Sequence, residues 1–234
     1  MKKFLKQGIS LLELVIVITV MSFLITVIFS AKRLVLSADI ANFSTSIMNL
    51  ESSVGVFVSI YGAFPGDLTN ASSYFNDPTV FNGDGNDKIQ QSNYEATNAL
   101  IHLQLAKIIK PQNWDKNDLY QSYQFDSFET GGAFMISRED SSGNMRSGFD
   151  YTQQTGNYIK FASGATLDSV ILKPKEAYLI DDKIDDGKAF TGKLTEKISL
   201  TESENCSDAN GNYNASYDEK ACLVLYFIDV IRPQ

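Results

Sequence analysis

The stretch KKFLKQGISLLELVIVITVMSFLITVIFSAKR, residues 2–33, decides the fold of this chain. It contains an apolar run of 23 residues, Ile9 to Ala31, in which Glu13 is the only charged side chain. A helix of that length rises roughly 34 Å, enough to cross a hydrocarbon layer of about 30 Å. The run continues at full strength past Phe23, where the shorter core of a secretory signal peptide would end. The stretch therefore predicts a membrane helix that the mature protein keeps.

Basic residues at the start of the chain predict the orientation of this helix. Lys2, Lys3 and Lys6 precede the apolar run. Short segments rich in lysine remain on the cytoplasmic side of a membrane. We therefore expect a single-pass protein whose N-terminus is cytoplasmic and whose residues after Arg33 lie on the other side.

The order of residues around Gly8 is a recognisable motif. Gly8 follows a short basic segment, the apolar Ile9 comes next, and Glu13 is the fifth residue of the apolar run. This combination resembles the class III leader of type IV prepilins and type II secretion pseudopilins. The resemblance implies that a prepilin peptidase cuts after Gly8 and methylates the new amine of Ile9. The family most often has Phe at that position, so Ile9 is an apolar departure from the pattern.

The resemblance also implies an α+β, pilin-like fold. A removed leader (1–8) would precede a long helix (9–61), half in the membrane (9–31) and half packed on a head. The head (62–234) would carry a small antiparallel sheet. The implied location is the inner membrane, with the head in the periplasm, and later a periplasmic or surface filament.

Glu13 has two interpretations. A carboxylate near hydrocarbon costs about 2.5–3.5 kcal/mol on insertion scales, so Glu13 either reaches water at the cytoplasmic interface or finds a partner. The resemblance implies the second interpretation, in which Glu13 neutralises the Ile9 amine of a neighbouring subunit. Two charges that are each costly in a low-dielectric environment become tolerable as a pair. Such a pair would also set the axial register between subunits.

Charge and cysteine content restrict the partners and the compartment. The formal charge is −8, and removing residues 1–8 with their three lysines would make it −11. Non-specific binding of phosphate backbones relies on Lys and Arg, so we expect no nucleic-acid partner. Cys206 and Cys222 both follow the membrane segment, and an oxidising compartment favours a bridge between them. The bridge would close a loop with 15 residues between the two cysteines. Closing such a loop stabilises the fold by about 3 kcal/mol in the chain-entropy model.

Apolar residues continue at helical spacing beyond the membrane segment. They alternate at intervals of four and three: Leu36, Ile40, Phe43, Ile47, Leu50, Val54, Phe57 and Tyr61. This periodicity predicts one continuous helix to residue 61. The alternative is a break near Lys32 or Ser37, but no Pro or Gly marks one there. Gly62 and Pro65 then predict the end of the helix.

Residues 65–93 contain a candidate cation site. Oxygen-bearing side chains cluster next to two glycines, and they are Asn82, Asp84, Asn86 and Asp87. Hard cations such as calcium bind oxygen ligands in loops of this kind, and the resemblance adds that calcium sites occur in pseudopilin heads. The EF-hand pattern requires Glu at the twelfth position of the loop, but the twelfth residue counted from Asn82 is Asn93. A calcium site and a simply solvated turn cluster both remain open.

The rest of the head is expected to alternate short elements with turns. A helix is predicted over 95–110, with His102 in a half-buried structural position, and short strands over 119–125, 133–137 and 158–161. The apolar segment 222–231 is predicted to be a central strand of an antiparallel sheet.

The segment KPKEAYLIDDKIDDGKAFTG, residues 173–192, predicts a short helix opened by Pro174 and stopped near Gly187. Its acidic residues are interpreted as a solvated face: Glu176, Asp181, Asp182, Asp185 and Asp186. The pattern A-x-x-ID-x-KIDDG-x-x-x-TG, the earlier PGD loop and the late cysteine pair resemble a poorly characterised group of prepilin-type proteins.

No enzyme motif is present, and we expect a protein that is not an enzyme. The first hypothesis is a structural filament subunit, pseudopilin-like or pilin-like. Its partners would be like or related subunits, the prepilin peptidase and the inner-membrane assembly platform. The second is a membrane-anchored or filament-tip binding module, such as a calcium-dependent adhesin or receptor. The third is an anchored hydrolase that uses the acidic cluster. Protein transport by type II secretion, a pilus and a DNA-uptake filament all remain open.

Overall fold

The computed structural model describes residues 10–91, 94–111, 123–125, 132–139, 156–163, 169–197 and 205–230. The fold is α+β, and the chain divides into two compact units, residues 1–41 and 42–234. Gly8 and Ile9 lie outside the described residues, so the predicted cleavage site stays a prediction from sequence.

The first unit is dominated by the start of helix α1, Leu11–Tyr61. The large apolar side chains from Leu11 to Phe29 are each at least 48% exposed. Hydroxyl groups in this part are satisfied within the helix; for example, Ser22 Oγ donates to the Ile18 carbonyl at 2.8 Å. The segment is therefore long and apolar enough to cross a membrane.

Helix α1 is uninterrupted at both positions where a break was considered, Lys32 and Ser37. It ends at Tyr61, where the sequence predicts its end. Gly62 follows with a φ of +69°, a conformation that glycine adopts at low cost.

The second unit is built on a five-stranded antiparallel sheet. Its strands are β1 Tyr123–Phe125, β2 Gly132–Glu139, β3 Gly156–Ala162, β4 Leu194–Glu196 and β5 Val224–Phe227. They are ordered β1-β2-β3-β5-β4 across the sheet, with every neighbouring pair antiparallel. Strand β5 lies between β3 and β4, which confirms the interior position predicted for segment 222–231, although the strand is shorter.

The second half of α1 packs on this sheet within the second unit. Phe43 is fully buried, and its ring centroid lies 5.3 Å from that of Phe134 on β2 and 4.9 Å from that of Phe161 on β3. Full burial of such side chains contributes roughly 1.5–3 kcal/mol each. Polar contacts near β4 and β5 add to this packing. Glu51 on α1 accepts hydrogen bonds from Lys193 Nζ at 3.1 Å and from Tyr226 Oη at 2.8 Å.

Three further helices complete the described part of the second unit: α2 Ala71–Tyr74, α3 Glu95–Leu105 and α4 Pro174–Ile184. The prediction that α3 extends to residue 110 is wrong. Lys107 adopts a φ of +59°, and the Ile108 N–H donates to the Leu103 carbonyl at 3.0 Å. This left-handed residue and its hydrogen bond form a Schellman C-cap, which ends the helix before Pro111.

A disulfide joins Cys206 to Cys222, as the sequence predicts, with their Cα atoms 5.1 Å apart. Cys222 also exchanges backbone hydrogen bonds with Leu172, which precedes α4. The bridge therefore fixes the loop 206–222 beside the start of α4.

Candidate functional site

The candidate site is built from two loops that meet in front of helix α3. The first is the turn Pro65–Asp67 that follows α1, and the second is the loop 82–90. Glycine is required where the two loops meet and where the first loop meets helix α3. A Cβ atom on Gly83 would lie 2.3 Å from Asp67 Cα, and one on Gly66 would lie 2.2 Å from the Glu95 carbonyl oxygen.

Asp67 is the centre of the arrangement. It is fully buried, and its Oδ1 accepts hydrogen bonds from the backbone N–H groups of Gly85 at 2.7 Å and Asn86 at 3.0 Å. Its Oδ2 accepts the Asp87 N–H at 2.8 Å. Three successive amide groups of the loop thus point at one carboxylate, which fixes the conformation of the loop.

Glu95 is the second buried carboxylate. It lies in the first turn of α3, where the helix dipole favours a negative charge. Its Oε1 accepts the Asp84 N–H at 3.1 Å, and its Oε2 accepts the Gln90 N–H at 2.8 Å. The loop is therefore held from two sides by acidic residues that lie outside it.

Asp84 completes the group on the exposed side. One carboxylate oxygen from each of Asp67, Asp84 and Glu95 lies within 4.8 Å of the others. Burial raises the pKa of Asp67 and of Glu95 above the usual carboxyl range, and the negative charge of Asp84 acts in the same direction. A hard divalent cation would offset the repulsion among these groups.

The four residues proposed from sequence divide into different roles. Asp84 belongs to the carboxylate group, whereas Asn82 Oδ1 accepts the Ser72 N–H at 2.9 Å and Asn86 Oδ1 accepts the Lys88 N–H at 2.8 Å. Asp87 contributes its carbonyl oxygen, which accepts a hydrogen bond from Asn157 Nδ2 at 3.0 Å. The carboxylates best placed to bind a calcium ion therefore differ from the predicted set and share only Asp84 with it.

Sequence reasoning missed Asp67 and Glu95 as members of this site. Asp67 is part of the PGD turn, and Glu95 opens a predicted helix, so each has an ordinary local explanation. The available signal was the pairing of an acidic turn with a glycine-rich loop, because glycines permit backbones to approach closely.

His102 connects the turn 65–67 with Phe81, the residue that precedes the loop 82–90. It is fully buried on α3, its Nδ1 accepts the Gly66 N–H at 2.9 Å, and its Nε2 lies 3.2 Å from the Phe81 carbonyl oxygen. The neutral imidazole satisfies both contacts by donating from Nε2. Burial lowers the pKa of His102 to about 4. Both ring nitrogens are engaged with backbone groups, so His102 serves the loop structure and is more buried than the sequence predicts.

Glu13 lies in the first turn of α1, among the exposed apolar residues of the first unit.

A scan against family models and searches of curated proteins and of solved structures found no match to this chain.

Proposed function

We propose that the chain is a structural subunit of a membrane-derived filament, pilin-like or pseudopilin-like, that assembles through its N-terminal helix. One observation supports this most directly: α1 is a single helix of 51 residues with an exposed apolar first part and a second half that forms part of the head core. A helix with those two surfaces suits a chain that moves from a bilayer into a filament. In both environments its first part contacts apolar surroundings.

Glu13 supplies the chemical argument for assembly. If its burial were merely tolerated, replacing it with Leu would make insertion more favourable by about 2.5–3.5 kcal/mol and leave function intact. If it pairs with the Ile9 amine of a neighbour, the same change leaves that amine buried without a partner. Breaking a buried pair in this way costs about 3–5 kcal/mol at every contact.

The test is a comparison of Glu13→Leu with Ser22→Leu in cells that carry an assembly system. Ser22→Leu is the matched control, since it also replaces a polar residue of the same helix with Leu but removes no charge. We expect both variants to insert and be processed, and Glu13→Leu alone to lose filaments and secretion. Filaments of normal length and number from Glu13→Leu would refute the proposal.

A second candidate function is a calcium-dependent binding module, favoured by the convergence of Asp67, Asp84 and Glu95. These three carboxylates would hold the ion, and its two positive charges would offset most of their repulsion and stiffen the loop. Calcium that binds only the folded head raises its melting temperature, and the stabilisation grows with the logarithm of the ratio of free calcium to Kd.

The measurement is the melting temperature of the full chain in detergent, with millimolar calcium and with chelator. We expect calcium to raise it for the wild type and for the exposed control variant Asp208→Asn, and not for Asp84→Asn. An equal shift in Asp84→Asn, or none in the wild type, would contradict this site and leave the filament proposal unaffected.

A further inference from the structure

A second group of carboxylates lies far along the chain from the candidate site, and one of its members is buried. Asp181, in helix α4, has no exposed surface, although the sequence predicts it on a solvated face. Its Oδ2 accepts a hydrogen bond from Tyr213 Oη at 2.8 Å, and its Oδ1 accepts the Gly187 N–H at 3.2 Å. Tyr213 is only 9% exposed and lies in the loop closed by the Cys206–Cys222 disulfide. This contact therefore joins α4 to the disulfide-closed loop, residues 206–222.

The charged groups around Asp181 are mostly of its own sign. One carboxylate oxygen of Asp181 lies within 4.8 Å of oxygens of Asp185 and Asp186, and Glu196 on β4 acts on Tyr213 with the same sign. Asp186 accepts hydrogen bonds from the Lys188 N–H at 2.9 Å and Thr191 Oγ1 at 2.5 Å. Asp185 accepts the Leu194 N–H at 3.1 Å.

The nearby ammonium group of Lys188 does not donate to Asp181; it donates to Asn212 Oδ1 at 2.6 Å. The donors that contact Asp181 are thus a phenol and a backbone amide, both neutral. Burial disfavours the ionised form of Asp181 most, and repulsion from Asp186 and Asp185 adds to this effect. The hydrogen bonds from Tyr213 and Gly187 favour the ionised form but are outweighed, so the closed arrangement favours a protonated Asp181.

We propose that the Asp181–Tyr213 hydrogen bond is a proton-sensitive latch, closed when Asp181 is protonated, that holds the disulfide-closed loop against α4. The loop is also attached on this side by the Ala189 N–H to the Gly211 carbonyl at 3.0 Å and by two exposed side-chain contacts, Lys188 Nζ to Asn212 at 2.6 Å and Lys173 Nζ to Asp218 at 3.0 Å. Its polar residues, among them Asp208, Asn212 and Asn214, border a depression of about 500 Å³. Loss of the Asp181–Tyr213 contact would make the loop residues that border this depression less ordered.

The direction of the response follows from burial. Burial raises the pKa of Asp181 from its ordinary value of 3.8 to about 7. Burial and the neighbouring acids also raise the pKa of Tyr213, so the phenol stays protonated while Asp181 titrates. A carboxyl with a raised pKa in the closed state stabilises that state most at low pH, and the contribution is lost as pH rises through about 7.

The test is hydrogen exchange of the backbone amides of residues 206–217 in the full chain in detergent, corrected for intrinsic rates, at pH 5.5 and pH 7.5. Linkage predicts protection about twentyfold lower at pH 7.5 in the wild type. Asp181→Asn is neutral at both pH values and should show equal protection. Asp182→Asn, which removes an exposed acid of the same helix, should keep the wild-type response.

Tyr213→Phe keeps the ring and removes the hydroxyl, which makes it the second variant if Asp181→Asn does not fold. Its loop protection at pH 5.5 should fall to near the wild-type value at pH 7.5. Equal protection of the wild-type loop at the two pH values would overturn the latch. A full pH response that survives in Tyr213→Phe would overturn it as well.

Discussion

At the scale of single residues, buried polar side chains determine how the loops of the head are held. Asp67, His102 and Asp181 are each fully buried, and each binds groups that lie far away in sequence. A buried polar group without a partner costs about 1–3 kcal/mol, so each of these contacts selects one loop conformation strongly.

His102 gives a prediction about acid sensitivity. Its pKa is about 4 in the folded head and about 6.5 in the unfolded chain, so protonation favours unfolding. The stability from the neutral imidazole is complete above pH 6.5 and is lost as pH falls toward 4. We expect His102→Gln to remove an acid-dependent loss on the order of 2 kcal/mol between pH 7.5 and pH 5.

Urea unfolding of the wild type and His102→Gln at both pH values measures this difference. Asp181 acts in the opposite direction, so the comparison must be between variants at each pH and not between pH values alone. An identical pH dependence in the two proteins would show that His102 does not titrate on unfolding.

At the scale of elements, periodic apolar patterns were predictable and polar contacts between loops were not. The stripe from Leu36 to Tyr61 predicts the end of α1 because every helical turn repeats the same signal. Strand β4 has three residues and is defined by pairing with β5, so no local pattern marks it. The end of α3 depends on one left-handed residue, Lys107. The contacts of Asp67 with residues 85–87 carry no periodic signal, and for that reason the site was only half predicted.

The contact between the two site loops gives a prediction with a built-in control. A methyl group on Gly83 would overlap Asp67 backbone atoms, so Gly83→Ala should destabilise the head by about 1–3 kcal/mol. Gly55 lies inside α1, and a methyl group there meets Val230 only at 3.9 Å. Gly55→Ala should therefore stabilise by about 0.5–1 kcal/mol, because alanine loses less backbone entropy in a helix.

Denaturant midpoints of the two alanine variants provide the measurement. Effects of opposite sign support the close approach of the loops. A neutral Gly83→Ala would mean that residues 66–67 and 83 lie farther apart than the structure places them.

The disulfide gives the second prediction at this scale. It restricts the unfolded chain by closing a loop, so the double variant Cys206→Ser, Cys222→Ser should lose about 3 kcal/mol. Alkylation of the unreduced, denatured wild-type protein should label neither thiol. Labelling of both thiols in freshly isolated protein would refute the bridge.

At the scale of the whole molecule, the proposed leader and the rest of the chain carry charge of opposite sign. Residues 1–8 contain three lysines, which by the positive-inside rule would keep this end of the chain in the cytoplasm while the helix inserts. Their removal would place a new amine at the start of the apolar run, within reach of an assembly partner, and would change the formal charge from −8 to −11. The proposed processing would thus convert a topology signal into an assembly group, and it can be tested separately from assembly.

We predict cleavage between Gly8 and Ile9 with methylation of the new amine. Mass spectrometry of membrane-extracted protein should show a chain that starts at methylated Ile9. Ile9→Phe introduces the residue most common in the resembling family and should be processed like the wild type. Gly8→Leu should remain uncleaved, because cleavage follows a glycine in the resembling family. An intact Met1 on the wild-type chain, in cells that contain an active prepilin peptidase, would contradict the leader. The apolar run would then be a plain anchor, and the amine that Glu13 is proposed to neutralise would not exist.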